Sequence, residues 1–195
     1  FLNKNNKLLQ TVLIAPSWGE GSLVNQHLKK LIEILITANF NVILRLHSMT
    51  KRHYPNLSKV LNNQYESSGK FFFDSRTQNA KSLIDSHIMI SDWSGTSIEY
   101  AFATERPVIF VDTKPKINNL NWEKIKLPCL EETIRKDIGK IVSENELENI
   151  PKIINELLAD QKLWSNRICG IRSRTVFNIG NSGKAGAEII CETLG

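Results

Sequence analysis

Ile88-Met-Ile-Ser-Asp-Trp-Ser-Gly-Thr-Ser-Ile-Glu-Tyr-Ala-Phe102 is the stretch whose reading decides the fold. A short apolar run ends in Ser91 and Asp92, turns through Trp93, Ser94 and Gly95, and continues with apolar positions at Ile98, Tyr100, Ala101 and Phe102. The pattern predicts a buried strand, a tight turn carrying small hydroxyl residues, and a helix N-terminus. Such a turn directs unpaired backbone N–H groups, hydroxyls and the positive end of a helix dipole to one point. That combination favours an anion, most often a phosphate. Residues 106–112, Arg-Pro-Val-Ile-Phe-Val-Asp, are the next strand-like run, so the unit is strand–helix–strand.

The alternation extends in both directions. Residues 11–15, 41–46 and 70–74 are short buried-strand patterns. Helical spacing of apolar residues runs from Ser22 to Ala38, residues 47–53 read as a polar loop, and 54–65 as a helix with Pro55 in its first turn. A short helix over 79–85 leads into the strand that ends at Ser91. Beyond residue 112 come a long loop to Pro128, a strand over 139–142, a polar stretch over 143–150, and a helix opened by Pro151. Two more helical segments, about 161–171 and 184–194, close the chain. This order predicts an α/β fold, a Rossmann-like doubly wound parallel sheet covered on both faces. The expected division is a nucleotide-donor-binding domain over residues 1–160 and a helical extension over 161–195 packed on it.

Composition is that of an ordinary globular domain: 41% hydrophobic and 23% charged over 195 residues. No apolar run approaches the roughly 20 residues that cross a bilayer, and no signal-peptide pattern opens the chain. The first residue is Phe1 rather than Met, so the sequence reads as a piece of a longer protein. Cys129, Cys169 and Cys191 are odd in number and far apart. They make neither metal-ligand spacing nor a disulfide framework, and they fit a reducing, cytoplasmic setting. The net charge of +5 is uneven. Residues 1–60 hold eight Lys and Arg, Lys4 and Lys7 among them, against Glu20 and Glu33. Residues 131–160 hold four basic against eight acidic side chains. A basic first third suits an anionic ligand or polymer, peripheral contact with an anionic membrane, or simply a solvated face.

In an open α/β sheet, ligands sit beyond the carboxyl ends of the strands. The loops over 16–22, 47–53, 74–78, 92–97 and 112–119 all follow strands and therefore share that edge. The first sets Ser17, Gly19, Gly21 and Ser22 ahead of a helix. It is either a second anion-competent N-terminus or an ordinary turn with Ser22 as N-cap, and it is neither GxGxxG nor a P-loop. His47 stands at a strand end with Arg45, Lys51, Arg52 and His53 nearby. A histidine there acts as general acid or base, hydrogen-bonds a phosphate, or serves structure alone. Asp92 is placed to cap its turn by accepting from N–H groups near Ser94 or Gly95, a role compatible with ligand contact. Trp122, beside Asn118, Asn119 and Asn121, either stacks on a base or anchors packing.

Three segments together carry a resemblance: Arg45-Leu-His47 after a strand, the run from Ser91 to Phe102, and Arg106 to Asp112. They resemble the C-terminal domain of the CDP-glycerol glycerophosphotransferase family, the teichoic-acid-type polymerases and primases. The resemblance runs from about Thr11 to Asp112 and more loosely to the end, where Asn178-Ile-Gly-Asn-Ser-Gly183 is compatible. It implies a GT-B architecture whose C-terminal Rossmann-like half binds the nucleotide donor. It further implies transfer of glycerol phosphate from CDP-glycerol to a membrane-associated, lipid-linked or anionic-polymer acceptor, releasing CMP, with no cofactor and no bound metal. By that resemblance His47 is the catalytic histidine that contacts the donor phosphates or assists the leaving group. Ser94, Gly95 and Thr96, with Ser97 and Arg45 beside them, hold the donor pyrophosphate, and Asp92 is the acidic residue before that turn. Ser17, Gly19, Arg52 and Asp112 are further donor-site candidates. The chain departs from the family pattern at Ser48, where the family has Pro, and in Trp93-Ser-Gly-Thr96, where it has Tyr with two serines. The family's second catalytic histidine belongs to an N-terminal GT-B domain that this sequence lacks.

Two other readings stay open. One is a GT-B glycosyltransferase using a nucleotide sugar for capsule or lipopolysaccharide, with Glu99 or Asp112 holding a ribose or sugar hydroxyl. The other is a non-catalytic nucleotide-binding or interaction domain. Nucleic acid is not an expected partner, because no recognition motif is present and aromatics do not interleave with the basic residues.

Overall fold

Each strand is apolar on both sides of the pleat, and only a sheet covered on both faces satisfies such strands. The computed structural model describes residues 9–75, 79–115, 117, 119 and 121–194. Along the chain these form β1 (Thr11–Ile14), α1 (Leu23–Gln26), α2 (Leu28–Thr37), β2 (Asn41–Leu44), α3 (Ser48–His53) and α4 (Leu57–Tyr65). Then follow β3 (Phe71–Phe73), α5 (Lys81–Asp85), β4 (Ile88–Ser91), α6 (Thr96–Thr104) and β5 (Val108–Val111). The last elements are α7 (Leu130–Thr133), α8 (Arg135–Ile138), β6 (Gly139–Val142), α9 (Ile150–Ala159), α10 (Gln161–Thr175) and α11 (Ser182–Leu194).

The six strands pair in the order β3-β2-β1-β4-β5-β6, and every pairing is parallel. Alternate strand residues enter different cores, as the two-residue period requires. Val12, Ile14, Val42, Leu44, Ile88 and Ile90 pack with Leu31, Leu35, Leu61, Ile154 and Leu157 of α2, α4 and α9. Leu13, Met89, Val108 and Phe110 pack with Tyr100, Phe102, Ile138, Ile168 and Ile171 of α6, α8 and α10. The result is the three-layer doubly wound sheet that the alternating pattern predicts. At Gly139 a Cβ would lie 1.8 Å from the Val108 carbonyl oxygen, so glycine is what lets β6 pair with β5. The long helix α10 is tied to α6 by Arg172 and Ser165, both donating to the Glu105 carboxylate. Those two bonds, together with the Arg172 charge, hold the Glu105 carboxyl below its usual range. Helix α11 has no buried residue.

Local structure departs from the sequence expectations at several places. The helix expected from Ser22 to Ala38 is two helices, broken at His27 (φ −133°, ψ −2°). Asn25 and His27 are weak helix formers there, and His27 Nε2 lies 3.4 Å from Glu144 Oε1. Pro55 precedes α4 rather than sitting inside it. Residues 143–150 hold a 3₁₀ segment, Glu144–Asn149. The two short helices α7 and α8 follow the long loop where no helix is expected. Most consequential is 47–53. This is not a loop but α3, because the His47 side chain takes the N-cap role and accepts from the Met49 amide. Histidine is not among the usual N-caps, which is why the segment reads as polar loop. Lys4, Lys7, Gln78 and Asn118 lie outside the described residues.

Candidate active site

The order 3-2-1-4-5-6 reverses between β1 and β4, and an open sheet binds its ligands beyond the carboxyl ends of the strands at that switch point. The two loops leaving it are locked together by one carboxylate. Asp92, 1% exposed, accepts from the Ser17 amide at 2.6 Å, the Ser17 hydroxyl at 2.9 Å and the Leu23 amide at 2.9 Å. It therefore caps the helix of the neighbouring loop, not its own turn. Ser91 adds a bond from its hydroxyl to the Ala15 carbonyl at 2.7 Å. Gly19 turns the first loop at φ 114°, a region side chains rarely enter. This knot sits beneath the site and holds both of its walls.

The turn after β4 retains spare donors. Ser97 and Ile98 give their amides to Ser94 and Gly95 carbonyls, and the Ser97 hydroxyl is spent on the Ser94 carbonyl at 2.6 Å. The amides of Ser94, Gly95 and Thr96 bond no described group. They stand at the N-terminus of α6, where the helix dipole favours negative charge. Across the switch point, Trp18 stacks near two imidazoles. Its ring centroid is 6.1 Å from that of His47 and 6.1 Å from that of His53, with interplanar angles of 20° and 15°. Because His47 Nδ1 accepts from Met49 N at 3.1 Å, the neutral ring carries its proton on Nε2 and is a donor there.

These groups open into one cavity of about 870 Å³, lined by Ser17, Trp18, His47, Trp93, Ser94 and Gly95 on the sheet side. Ile117, Asn119, Trp122 and residues 125–129, with Glu131 and Glu132, form the opposite wall. Polar donors thus face a largely apolar wall, the usual make-up of a small-molecule site.

Of the sequence candidates, His47, Ser94, Gly95 and Ser17 meet in this cavity, and Trp122 joins them from the long loop. Thr96 is next in the turn, and Ser97 is buried beneath it. Arg45 is placed elsewhere, bonded to Asp74 at 3.3 Å, the Asn79 carbonyl at 2.8 Å and Ser82 at 3.0 Å. Arg52 is exposed on α3 outside the cavity lining. Asp112 pairs with Arg135 at 3.0 Å. Arg135 and Trp18 belong to the site's surroundings without having been singled out. Trp18 sits in a Pro/Gly loop with no periodicity, and only its place directly after a strand marked it. Among the described residues no group of three or more His, Cys, Asp or Glu side chains is placed to hold a metal ion.

No protein-family model matches the chain, and no curated protein matches it. Solved structures do. The wall teichoic acid polymerase TagF aligns at TM-score 0.53 and 20% identity, covering 93% of this chain and 40% of that one. The C-terminal CMP-Kdo binding domain of WaaA from Acinetobacter baumannii aligns at TM-score 0.51 and 13% identity, covering 82% and 87%. The C-terminal domain of LpcC, a glycosyl transferase group 1 family protein from Francisella tularensis, aligns at 0.50 and 13%, covering 85% of each chain. The fold is that of a GT-B C-terminal half. The chain spans less than half of the TagF polymerase and most of the other two domains. No helix among the described residues is long and apolar enough to cross a membrane.

Proposed function

We propose that this chain is the donor-binding half of a GT-B transferase that moves glycerol phosphate from CDP-glycerol to a membrane-associated surface-polymer acceptor. The observation that carries this reading is the meeting of the Ser94–Thr96 amides, at the N-terminus of α6, with His47 beside one cavity at the sheet's switch point. A diphosphate fits such a cluster because helix-terminal amides and a histidine N–H donate hydrogen bonds to negative oxygens, reinforced by the helix dipole. The sequence resemblance points to the same donor, and TagF was studied in a soak with CDPG. The WaaA domain, described as binding CMP-Kdo, supports a cytidine nucleotide in the same fold.

In this reading an acceptor hydroxyl attacks the β-phosphorus in line, the bond to the bridging oxygen breaks, and CMP leaves. The protein contributes positioning and electrostatic stabilisation. The amides of Ser94–Thr96 hydrogen-bond the non-bridging oxygens, and His47 donates from Nε2 toward the departing phosphate. These residues suit binding and leaving-group stabilisation. Activation of the acceptor belongs to the part of the enzyme beyond this chain.

A nucleotide-sugar glycosyltransferase is the second reading, favoured by Glu131 and Glu132 on the cavity wall, where carboxylates can accept from sugar hydroxyls. Calorimetric titration with CDP-glycerol, CDP, CMP, UDP and a UDP-sugar separates the two, repeated with Ser94→Ala. Selective cytidine diphosphate binding, weakened by the substitution, is the expected result. Preference for the uridine compounds transfers the assignment to a sugar transferase. Binding of none of them overturns the donor-site reading for this chain.

A further inference from the structure

Arg135 is 3% exposed yet carries a full positive charge at the carboxyl edge of β5. Its Cζ lies 4.0 Å from the centroid of the Trp93 ring and 5.1 Å from that of Phe110. Its Nη1 bonds Asp112 Oδ1 at 3.0 Å, and its Nη2 reaches the Val111 carbonyl at 3.5 Å. Its Nε is buried without any hydrogen-bond partner. Trp93 in turn donates from Nε1 to the Thr113 carbonyl at 2.7 Å and exposes part of its side chain to the cavity next to Ser94 and Gly95. Arg135 itself does not reach the cavity lining.

As a stabilising device this arrangement is poor. A buried cation whose carboxylate partner is 52% exposed, and which leaves one N–H unmet, is often replaced by a well-packed apolar side chain at no loss. Its geometry makes sense as a support for the ring in front of it. A guanidinium stacked on an indole fixes that ring's plane. The ring fixed here begins the turn that ends in the three spare amides.

We propose that Arg135 is a positioning residue for the anion site. It holds Trp93 from behind by a cation–π stack, sets the course of the turn through Ser94 and Gly95, and adds positive potential behind that turn. Asp112 orients the guanidinium and does not itself touch the donor. The proposal rests on the reading of the 94–96 turn as a diphosphate site, and its test separates the two.

The near-UV circular dichroism attributable to Trp93 is obtained as the difference between the wild-type chain and Trp93→Phe. The same spectrum is recorded for Arg135→Met, Arg135→Lys and Asp112→Asn, with CDP affinity measured by calorimetry for each. Arg135→Met is expected to lose at least half of the Trp93 signal and to bind CDP about tenfold more weakly, the range of a desolvated cation–π contact. Arg135→Lys, which keeps charge but not the planar stack, restores part of the affinity and little of the signal. Asp112→Asn, altered on the solvent side, tests the same support without touching the core and is expected to shift both readouts by a smaller factor. An unchanged Trp93 signal in folded Arg135→Met and Asp112→Asn overturns the proposal. A lost signal with CDP affinity held within twofold also overturns it, because the residue then only packs. If the wild-type chain binds no CDP at all, the diphosphate reading fails, and the Trp93 signal alone decides whether Arg135 sets the ring.

Discussion

The two ends of β4 both carry polar clusters, and they differ in what is left over. At the amino end, Arg106 donates to the carbonyls of Ile84 and Ser86, Tyr100 donates to the Ser86 carbonyl, and His87 Nδ1 accepts from the Thr11 amide. None of these residues lines the cavity described above. At the carboxyl end Asp92 is equally saturated. The turn beyond it, however, keeps amides with no described partner and opens on a cavity. A hydrogen-bonded polar cluster alone therefore does not mark a binding site. Unspent hydrogen-bonding capacity facing an open volume does, and among the described residues flanking β4 it lies at the end where the topology puts ligands.

The largest effect expected on this contrast comes from the knot under the site. Asp92→Ala removes the acceptor of three hydrogen bonds and strands the Ser17 and Leu23 amides. With charged hydrogen bonds contributing ~1.5–3 kcal/mol each and a buried cavity added, unfolding by urea should show a loss of about 3 kcal/mol or more. A loss below about 1 kcal/mol would mean that the two switch-point loops hold without it. Next is His47→Ala in the intact enzyme, where removing the Nε2 donor to the departing phosphate should lower turnover by ~10²-fold. A few-fold decrease would assign His47 to the Trp18 stack and the α3 N-cap alone.

How much of this was readable beforehand follows from the range of each interaction. The strand-turn-helix through residues 88–102 was legible because every signal in it is local: an apolar run, small hydroxyls, then helical spacing. The convergence of loops on one edge was equally legible, since parallel alternation dictates it. What escaped depends on partners remote in sequence. Asp92 was read as capping its own turn, and its true partners lie 75 and 69 positions away. Arg45 read as a phosphate ligand by its neighbourhood with His47, yet Asp74, Asn79 and Ser82, from the next strand onward, claim it. Arg135 looked like one more charge in a mixed polar segment. Nothing local shows that it faces Trp93.

Within the turn itself a smaller change sharpens the comparison. Ser97 is buried, and its hydroxyl bonds the Ser94 carbonyl. Ser97→Ala should cost about 1 kcal/mol of stability. It should reduce CDP affinity only through looser geometry, by a few-fold at most. Ser94→Ala should show the opposite balance, little change in stability and the larger drop in affinity, since Ser94 lines the cavity. Equal effects of the two on binding would erase the distinction between the buried support and the exposed ligand-facing residue.

The smallest effect belongs to the closed end of β4, and it is a matter of sign. Burial, and then the charge of Arg106, hold the His87 pKa below its ordinary 6.5. The folded chain thus keeps His87 neutral where the unfolded chain begins to protonate it. Above pH 6.5 neither state takes up the proton and the contribution is fully present. As pH falls through that value the unfolded state binds more protons than the folded one, so stability declines toward the folded pKa. His87→Asn keeps an acceptor for Thr11 but does not titrate. The difference between wild-type and variant unfolding free energies, followed from pH 8 to pH 5, should therefore stay flat at first and then fall against the wild type. Histidines at 27, 47 and 53 cancel in that difference. A rise in relative wild-type stability on acidification would mean that the amino end of β4 welcomes the imidazolium. That end would then hold an unspent capacity of its own, and the contrast between the two ends would fail.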